Sequence, residues 1–528
     1  MFEEYQNLFF IYSVGLISII LLSCFTYFAS DKFSFKINKK QSNYVFYFSI
    51  IFYILSVLFL TFGKIQALHH YVDFATHLEI LYRNSQGLGL TTLMSEKYHG
   101  GSNWFAAHFT PIIYFTYVPA FAIWPSPYMI PVSETVFIVS SLIPLWLISK
   151  KYLNLELGKL FISSFLFYPT IFYTNLYGIS YIELCIPLFL WLIYFFEEKK
   201  NTLFILILFL CLMVREEVSL VTAFFGIYMI IKKRTILGFA TIFISLIYFY
   251  TVVFLVMPSF RDEDFSKAHI AAFWFKGWGD TYLEMITYIL LNPIESLGKI
   301  LIPPKIGNFI MILIPLLFFP LTNLLIFFIA LPNLAMTFLS FSITHSSYIL
   351  YYLSPSIPIF FYATISGLSK VNNLKFINRN ALMQSILVAS ISTTIFFGAT
   401  PISIAFWNKD YKVGNFYTSN FHYSAYVELD RHIAAKKIIK FIPRDKVISA
   451  EQHFMPLLYK NKKMIIFPSP EKDIEYVLID RYNPKKTGGY FANTLRTDPE
   501  VEYQKYFQNK NWEIIKEDLG ITLFKKID

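Results

Sequence analysis

Long apolar blocks separated by short charged turns dominate the chain. Thr235 to Phe260 contains no Asp, Glu, Lys or Arg, and neither does Ile306 to Ser369. A bilayer core takes about 20 apolar residues per helix, so the second block alone has room for roughly three spans. The same measure predicts about twelve spans in all. They fall near 8–30, 44–63, 129–148, 158–175, 183–196, 202–214, 218–231, 235–256, 306–320, 322–339, 350–369 and 381–400. Pro111 to Trp124 is apolar but only about 14 residues long, which suits an interfacial or re-entrant helix better than a crossing. Leu283 to Leu301 reads as a second surface-lying helix.

From Asn408 the pattern changes. Short β-type runs appear at 446–449, 463–467, 476–480, 512–515 and 521–524, with helix-like stretches at 431–441, 452–460 and 499–508. The expected architecture is an all-α polytopic membrane domain over residues 1–407, with outer loops 65–128 and 258–305. A small extracytoplasmic α/β domain over 408–528 follows it.

Composition agrees. Of 528 residues, 55% are hydrophobic, 20% aromatic and 15% charged, whereas a soluble domain carries about 25% charged residues. Mean hydropathy is +0.50. The net charge of +10 does not point to nucleic acid. Its Lys and Arg cluster at the ends of apolar blocks: Lys32 to Lys40, Lys150 and Lys151, Lys199 and Lys200, Lys232 to Arg234, and Lys370 to Arg379. The positive-inside rule puts these loops in the cytoplasm of a cell-membrane protein, with both termini outside. Cys24, Cys185 and Cys211 all fall in apolar segments, which excludes a disulfide framework and a zinc site built on them. Glu3 and Glu4 stand where a cleavable leader carries basic residues, so the run from Leu8 to Ser30 is expected to stay in the membrane.

Ionisable groups at the membrane face are costly and therefore the first candidates for function. Asp73 follows the second span, and His108 opens His108-Phe109-Thr110-Pro111. Glu183 begins Glu183-Leu184-Cys185-Ile186-Pro187, and Arg215-Glu216-Glu217 separates two short apolar runs. By the topology above, all lie on the outer side. Each has a plainer reading: Asp73 as a helix cap, His108 as an interfacial anchor, the Arg215 turn as a hydrated hairpin, and His453 as a tail-domain residue. A carboxylate at a low-dielectric surface can act as a general base, and Arg can hold a phosphate bidentately. The carboxylates look too scattered to be assigned as metal ligands, and no cofactor is called for.

These elements carry a resemblance. Asp73 to Gly87, His108 to Pro111 with Pro125-Ser126-Pro127, Glu183 to Pro187, and Arg215-Glu216-Glu217-Val218 are similar to a family of predicted archaeal and bacterial membrane proteins of unknown function. That family is placed in the GT-C glycosyltransferase clan. Val256-Met257-Pro258, Leu290-Leu291-Asn292-Pro293, Ile442-Pro443 to Ala450 and Tyr476 to Asp480 extend the likeness over most of 60–485. The motifs are loose. The resemblance implies transfer of a sugar from a polyprenyl-phosphate carrier to an acceptor on the outer face, with Asp73 as catalytic base. His108, Glu183, Arg215, Glu216 and Glu217 would then contact the substrate. Two departures bear on catalytic competence. Leu78, with Glu79 beside it, stands where the family has a second acidic residue, and Tyr181 replaces a usual His.

The partners expected are membrane lipids, the lipid-linked sugar donor and an acceptor that the sequence does not specify. Two other classes compete: a lipid or small-molecule transporter or lipid-binding protein, and a scaffold whose tail binds a partner. Transport predicts mid-span charges and repeated halves. The sequence reading finds neither, which favours the enzyme.

Overall fold

The computed structural model describes residues 2–32, 37–70, 72–94, 100–262, 274–275, 277–279, 281–371, 377–411, 421–469, 471–481 and 499–527. Among these, six helices are long and apolar enough to cross a membrane: Tyr12–Lys32, Lys39–Gln66, Met129–Tyr152, Thr235–Phe260, Phe319–Leu339 and Arg379–Phe397. Two further pairs count as bent spans, Leu155–Leu166 with Pro169–Tyr177 at 45° and Pro293–Ile300 with Pro303–Leu316 at 70°. The structure therefore supports six to eight spans rather than about twelve. The difference lies in short apolar helices such as Asn201–Leu212 and Val218–Ile231, which at 1.5 Å per residue do not reach across the hydrocarbon layer. Pro111–Ile123 is likewise short.

The helix Lys39–Gln66 displays the logic of the membrane domain. Asn38 caps it, accepting from Gln41 N, while the Gln41 side chain accepts from Asn38 N. Tyr47, Phe48, Ile51, Leu55 and Phe59 point outward, while Ser49, Tyr53, Ser56 and Val57 are buried. Large apolar groups outside and small or polar groups inside is the reverse of a soluble helix, and it is what lipid as solvent selects.

Helices Val218–Ile231 and Thr235–Thr251 apply the same rule at closer range. A Cβ on Gly226 would lie 2.8 Å from Gly238 O, and one on Gly238 2.8 Å from Gly226 O. Only glycine permits this approach, which lets Thr222 and Ser245 share a buried 2.8 Å hydrogen bond.

The basic loops meet at one end of the bundle. Lys151 pairs with Glu198 at 3.0 Å, Arg234 donates to Asn201 Oδ1 at 2.8 Å, and Arg379 donates to Tyr152 O. At the other end, residues 425–459 pack on the tip of Lys39–Gln66 and the segments after it. Lys436 Nζ donates to Gln66 O at 2.9 Å, Tyr82 and Tyr459 rings meet edge to face, and Gly63 lies so close to Tyr426 that a Cβ would stand 2.6 Å from its carbonyl oxygen.

The tail holds one five-stranded sheet in the order β2-β1-β3-β5-β4. Strands β1 (Val447–Ala450), β2 (Lys463–Ile466) and β3 (Tyr476–Asp480) run parallel, and β5 (Ile521–Lys526) returns antiparallel between β3 and β4 (Trp512–Asp518). Val447, Ile465, Val477, Ile479 and Phe524 form part of its core with Tyr503. The five strands lie where the β-type runs predict them, within three residues at each end.

Candidate functional site

The turn between Asn201–Leu212 and Val218–Ile231 is buried rather than hydrated. Arg215, Glu216 and Glu217 are 7%, 3% and 8% exposed. The chain from residue 104 wraps over this turn. Ile112 N donates to Met213 O at 3.1 Å, and Trp104 Nε1 donates to Thr110 Oγ1 at 2.9 Å. Half-buried His108 is thereby set against the turn, with Nδ1 2.9 Å from Glu216 Oε1 and Nε2 3.3 Å from an Arg215 terminal nitrogen. Since Arg215 can only donate and a carboxylate only accepts, the hydrogen is assigned to Nδ1 and Nε2 is the acceptor. Glu216 Oε2 accepts from Phe109 N at 3.0 Å, and Arg215 Nε lies 2.8 Å from Glu217 Oε1.

Burial, reinforced by the Arg215 charge, pushes the His108 imidazole down to about 3, so it is neutral at physiological pH. Burial likewise raises Glu217 above the usual carboxylate range, with Arg215 acting against it. One ligand-type atom from each of His108, Glu216 and Glu217 lies within 4.8 Å of the others. The fold thus brings His108 to the adjacent pair Glu216 and Glu217.

His108, Arg215, Glu216 and Glu217 together line a cavity of about 470 Å³. Its other walls are apolar and aromatic: Phe249, Val253 and Phe254 from the Thr235–Phe260 span, Met285, Ile286 and Ile289 from Tyr282–Leu291, with Trp274 and Trp278. Val253 and Phe254 sit in a π-helical turn, Val252–Val256, of the kind often found at functional sites. Tyr351, Tyr352, Asn333 and His345 also line the wall. Burial, with Arg215, holds His345 down at about 4, and Ser340 Oγ lies 2.7 Å from its Nδ1.

Asp73 and Glu183 stand outside this lining. Asp73, half-buried in helix Val72–Ser85, accepts from Tyr177 Oη at 2.5 Å. Burial raises its pKa and the Tyr177 bond opposes the rise. The Tyr177 ring meets that of Tyr351 at 4.7 Å, and Tyr351 meets Tyr352 at 4.3 Å. A tyrosine layer therefore separates Asp73 from the cavity, and the Asp73 charge bears on both Tyr351 and Tyr352. Glu183 is 1% exposed and has both oxygens engaged, by Tyr117 Oη at 2.6 Å and Ser180 Oγ at 2.7 Å. It ties the interfacial segment to the turn at 180–183, where Tyr181 adopts a left-handed φ of 64°.

Glu79, adjacent to the departure at Leu78, accepts from Thr92 Oγ1 at 2.7 Å and from Leu93 N at 3.1 Å, so it clamps the following loop to its helix. His453 sits in the tail, 3.4 Å from Asp480 and 3.6 Å from Glu451, away from the cavity.

The sequence reading missed the tyrosine layer and two charged residues inside spans. Glu134, within Met129–Tyr152, is 1% exposed, and neither of its carboxylate oxygens has a hydrogen-bond partner. Lys64, in the last turn of Lys39–Gln66, is 4% exposed and donates to Leu176 O at 2.8 Å. The signal for both was present: an isolated charge within an apolar run.

A family described as predicted membrane proteins (DUF2079) matches residues 64–523. A crystal structure of ArnT from Cupriavidus metallidurans bound to undecaprenyl phosphate is similar over 89% of this chain and 97% of that one, with 8% identity and a TM-score of 0.47. No curated protein matches.

Proposed function

We propose that this chain, which belongs to the DUF2079 family of predicted membrane proteins, transfers a sugar from a polyprenyl-phosphate carrier at the outer face of the membrane. One observation carries the reading: a single cavity is lined both by the charged group Arg215, His108, Glu216 and Glu217 and by the apolar side chains of Phe249, Val253, Phe254, Met285, Ile286 and Ile289. That polarity suits an amphiphile with an anionic head and a hydrocarbon tail. The resemblance of the sequence motifs to the GT-C clan supplies the reaction class.

Arg215 binds the phosphate, since its planar guanidinium can make two parallel hydrogen bonds to it. The resemblance assigns the proton of the acceptor hydroxyl to Asp73, which the acceptor reaches by passing the Tyr177 and Tyr351 rings that separate Asp73 from the cavity. As that oxygen bonds to the anomeric carbon, the bond from carbon to phosphate oxygen breaks, and the electron pair leaves with the lipid phosphate. Attack from the opposite face inverts the anomeric carbon. Glu183 holds the interfacial segment in place. The orientation follows from the basic loops gathered at one end of the bundle, which the positive-inside rule assigns to the cytoplasm. The cavity and residues 408–528 then lie outside.

A second reading is a lipid transporter, favoured by Glu134 and Lys64 buried within spans. Incubating the purified chain with a radiolabelled polyprenyl-phosphate sugar separates the two. Label moved to a new acceptor, or released to water in its absence, supports the transferase. Saturable lipid binding with the donor left intact supports transport.

A further inference from the structure

We infer that a groove between helices Lys39–Gln66 and Met129–Tyr152 is a binding site for an anionic phospholipid, whose phosphate lies on Lys159 at the basic end of the bundle. The groove shares no lining residue with the cavity described above, and the inference does not rest on the transferase reading.

The groove has a volume of about 720 Å³. One wall is the row Phe46, Ile50, Ile54 and Leu58, and the other is Val132, Val136, Val139 and Ile143. Residues three and four apart lie on one face of a helix, so both rows run lengthwise along the groove. At 1.5 Å per residue, Phe46 to Leu58 covers about 18 Å, against about 15 Å for half of a 30 Å hydrocarbon layer. One acyl chain fits along it from end to end. Val136 and Ile143 are 59% and 56% exposed, so the groove opens toward lipid rather than into the protein.

An apolar groove facing lipid is ordinary. What distinguishes this one is its single charged lining residue. Lys159, half-buried on helix Leu155–Leu166, closes the end nearest the start of Lys39–Gln66, where its Nζ donates to Asn43 Oδ1. Asn43 is neutral, and among the described residues no carboxylate pairs with Lys159. An ammonium group has three hydrogens to donate, so this one has capacity left for an anion. A cation without a counter-charge at the end of a hydrocarbon-lined groove selects an amphiphile with a phosphate head.

The surroundings agree. Lys39 and Lys40 begin the helix one turn before Asn43, and Lys150 sits 5.5 Å over the ring of Trp146, itself a groove residue. The Trp146 and Phe46 rings lie 6.4 Å apart, which puts Trp146 at the Lys159 end. Trp beside Lys is the pairing that membrane helices place at the head-group level. The positive-inside rule assigns this end to the cytoplasmic leaflet, where anionic lipids attract lysine at the surface.

The test uses the full chain, purified in detergent and titrated with phosphatidylglycerol or with phosphatidylcholine of the same acyl chains, bound lipid being counted by native mass spectrometry. One phosphatidylglycerol per chain, bound more tightly than phosphatidylcholine, is the expected result. Its affinity should fall about fivefold or more in Lys159→Ala and be kept in Lys159→Arg. Lys232→Ala, which removes an exposed basic-loop charge outside the groove, should bind like wild type. Val139→Trp, which fills the groove, should weaken both lipids. Equal affinity for the two lipids overturns the site, as does wild-type affinity in Lys159→Ala. An equal loss in Lys232→Ala also overturns it, because the preference would then belong to the basic loops in general. So does a lipid-free dimer that Val139→Trp dissociates, which would give the groove to a second copy of the chain. Monodisperse elution controls for folding. Where Lys159→Ala fails that control, the wild-type comparison of the two lipids and Val139→Trp decide.

Discussion

Tyr177 donates its hydroxyl hydrogen to Asp73 at 2.5 Å across 104 residues of sequence. Its ring leans on Tyr351 in the cavity wall. The bond stabilises the ionised carboxylate, the form a general base needs, while burial works the other way. Asp73 is thus held close to the cavity and buffered from it by aromatic rings.

Asp73→Asn keeps the size and accepts the same hydrogen bond but removes the basicity. Transfer from a labelled donor should fall by about 10²–10⁴-fold, the usual contribution of a positioned base. Expression and elution should match wild type. Near-normal transfer would remove Asp73 from the chemistry.

The pH dependence of transfer follows with a definite sign. The Asp73 pKa is raised in the folded protein, and the base acts only when ionised. Activity is therefore present above that pKa and lost as pH falls through it, at higher pH than the value of about 3.9 for a free Asp. Tyr177→Phe removes the bond that favours ionisation, so the acid limb should move to higher pH still. A pH–rate profile of the two proteins checks this; an unmoved or lowered limb contradicts it.

The crossing of Val218–Ile231 with Thr235–Thr251 gives a stability prediction. At Gly226 a Cβ would sit 2.7 Å from Ile242 Cγ1 as well as 2.8 Å from Gly238 O. Gly226→Leu should cost about 1–3 kcal/mol or more by overpacking and lower the thermal midpoint in detergent. Gly298→Ala, where a Cβ meets nothing within 4 Å, should leave that midpoint unchanged or slightly raised by better helix propensity.

Much of this fold is legible in the sequence. The tail strands are, because β-branched and aromatic runs bounded by polar turns have few other solutions. The span from Met129 to Tyr152 is, because its apolar run is long and Lys150 and Lys151 close it. The Arg215 turn and His108 stand out because charge is rare here, and the fold brings them together. What the sequence does not disclose is partnership over distance. Nothing near Tyr177 or Tyr351 distinguishes them in a chain with 37 Tyr and 58 Phe. Whether Glu216 and Glu217 meet His108 depends on a segment 107 residues earlier folding back over them. The span count fails for a related reason: apolar length cannot tell a crossing helix from one half of a hairpin that turns at a buried charge.

Topology is checked by labelling. Lys440 is exposed on the tail helix region, and Cys24 is exposed on the first helix. In a Cys24→Ala background, Lys440→Cys should react with a membrane-impermeant maleimide in intact cells. Labelling only after lysis would place the tail in the cytoplasm and invert the assignment of the cavity.

Binding of a polyprenyl phosphate to the purified chain tests the central claim most directly, because it interrogates the charged and the apolar lining of the cavity at once. Arg215→Lys loses the two-pronged contact, and a charge-assisted hydrogen bond is worth about 1.5–3 kcal/mol, so affinity should fall by roughly tenfold or more. Ile289→Trp, which adds bulk to the apolar lining from a half-buried position on Tyr282–Leu291, should weaken binding while Arg215 is intact. Saturable wild-type binding that both substitutions reduce is the predicted result. No saturable binding, or binding that neither substitution alters in well-folded protein, would contradict the account.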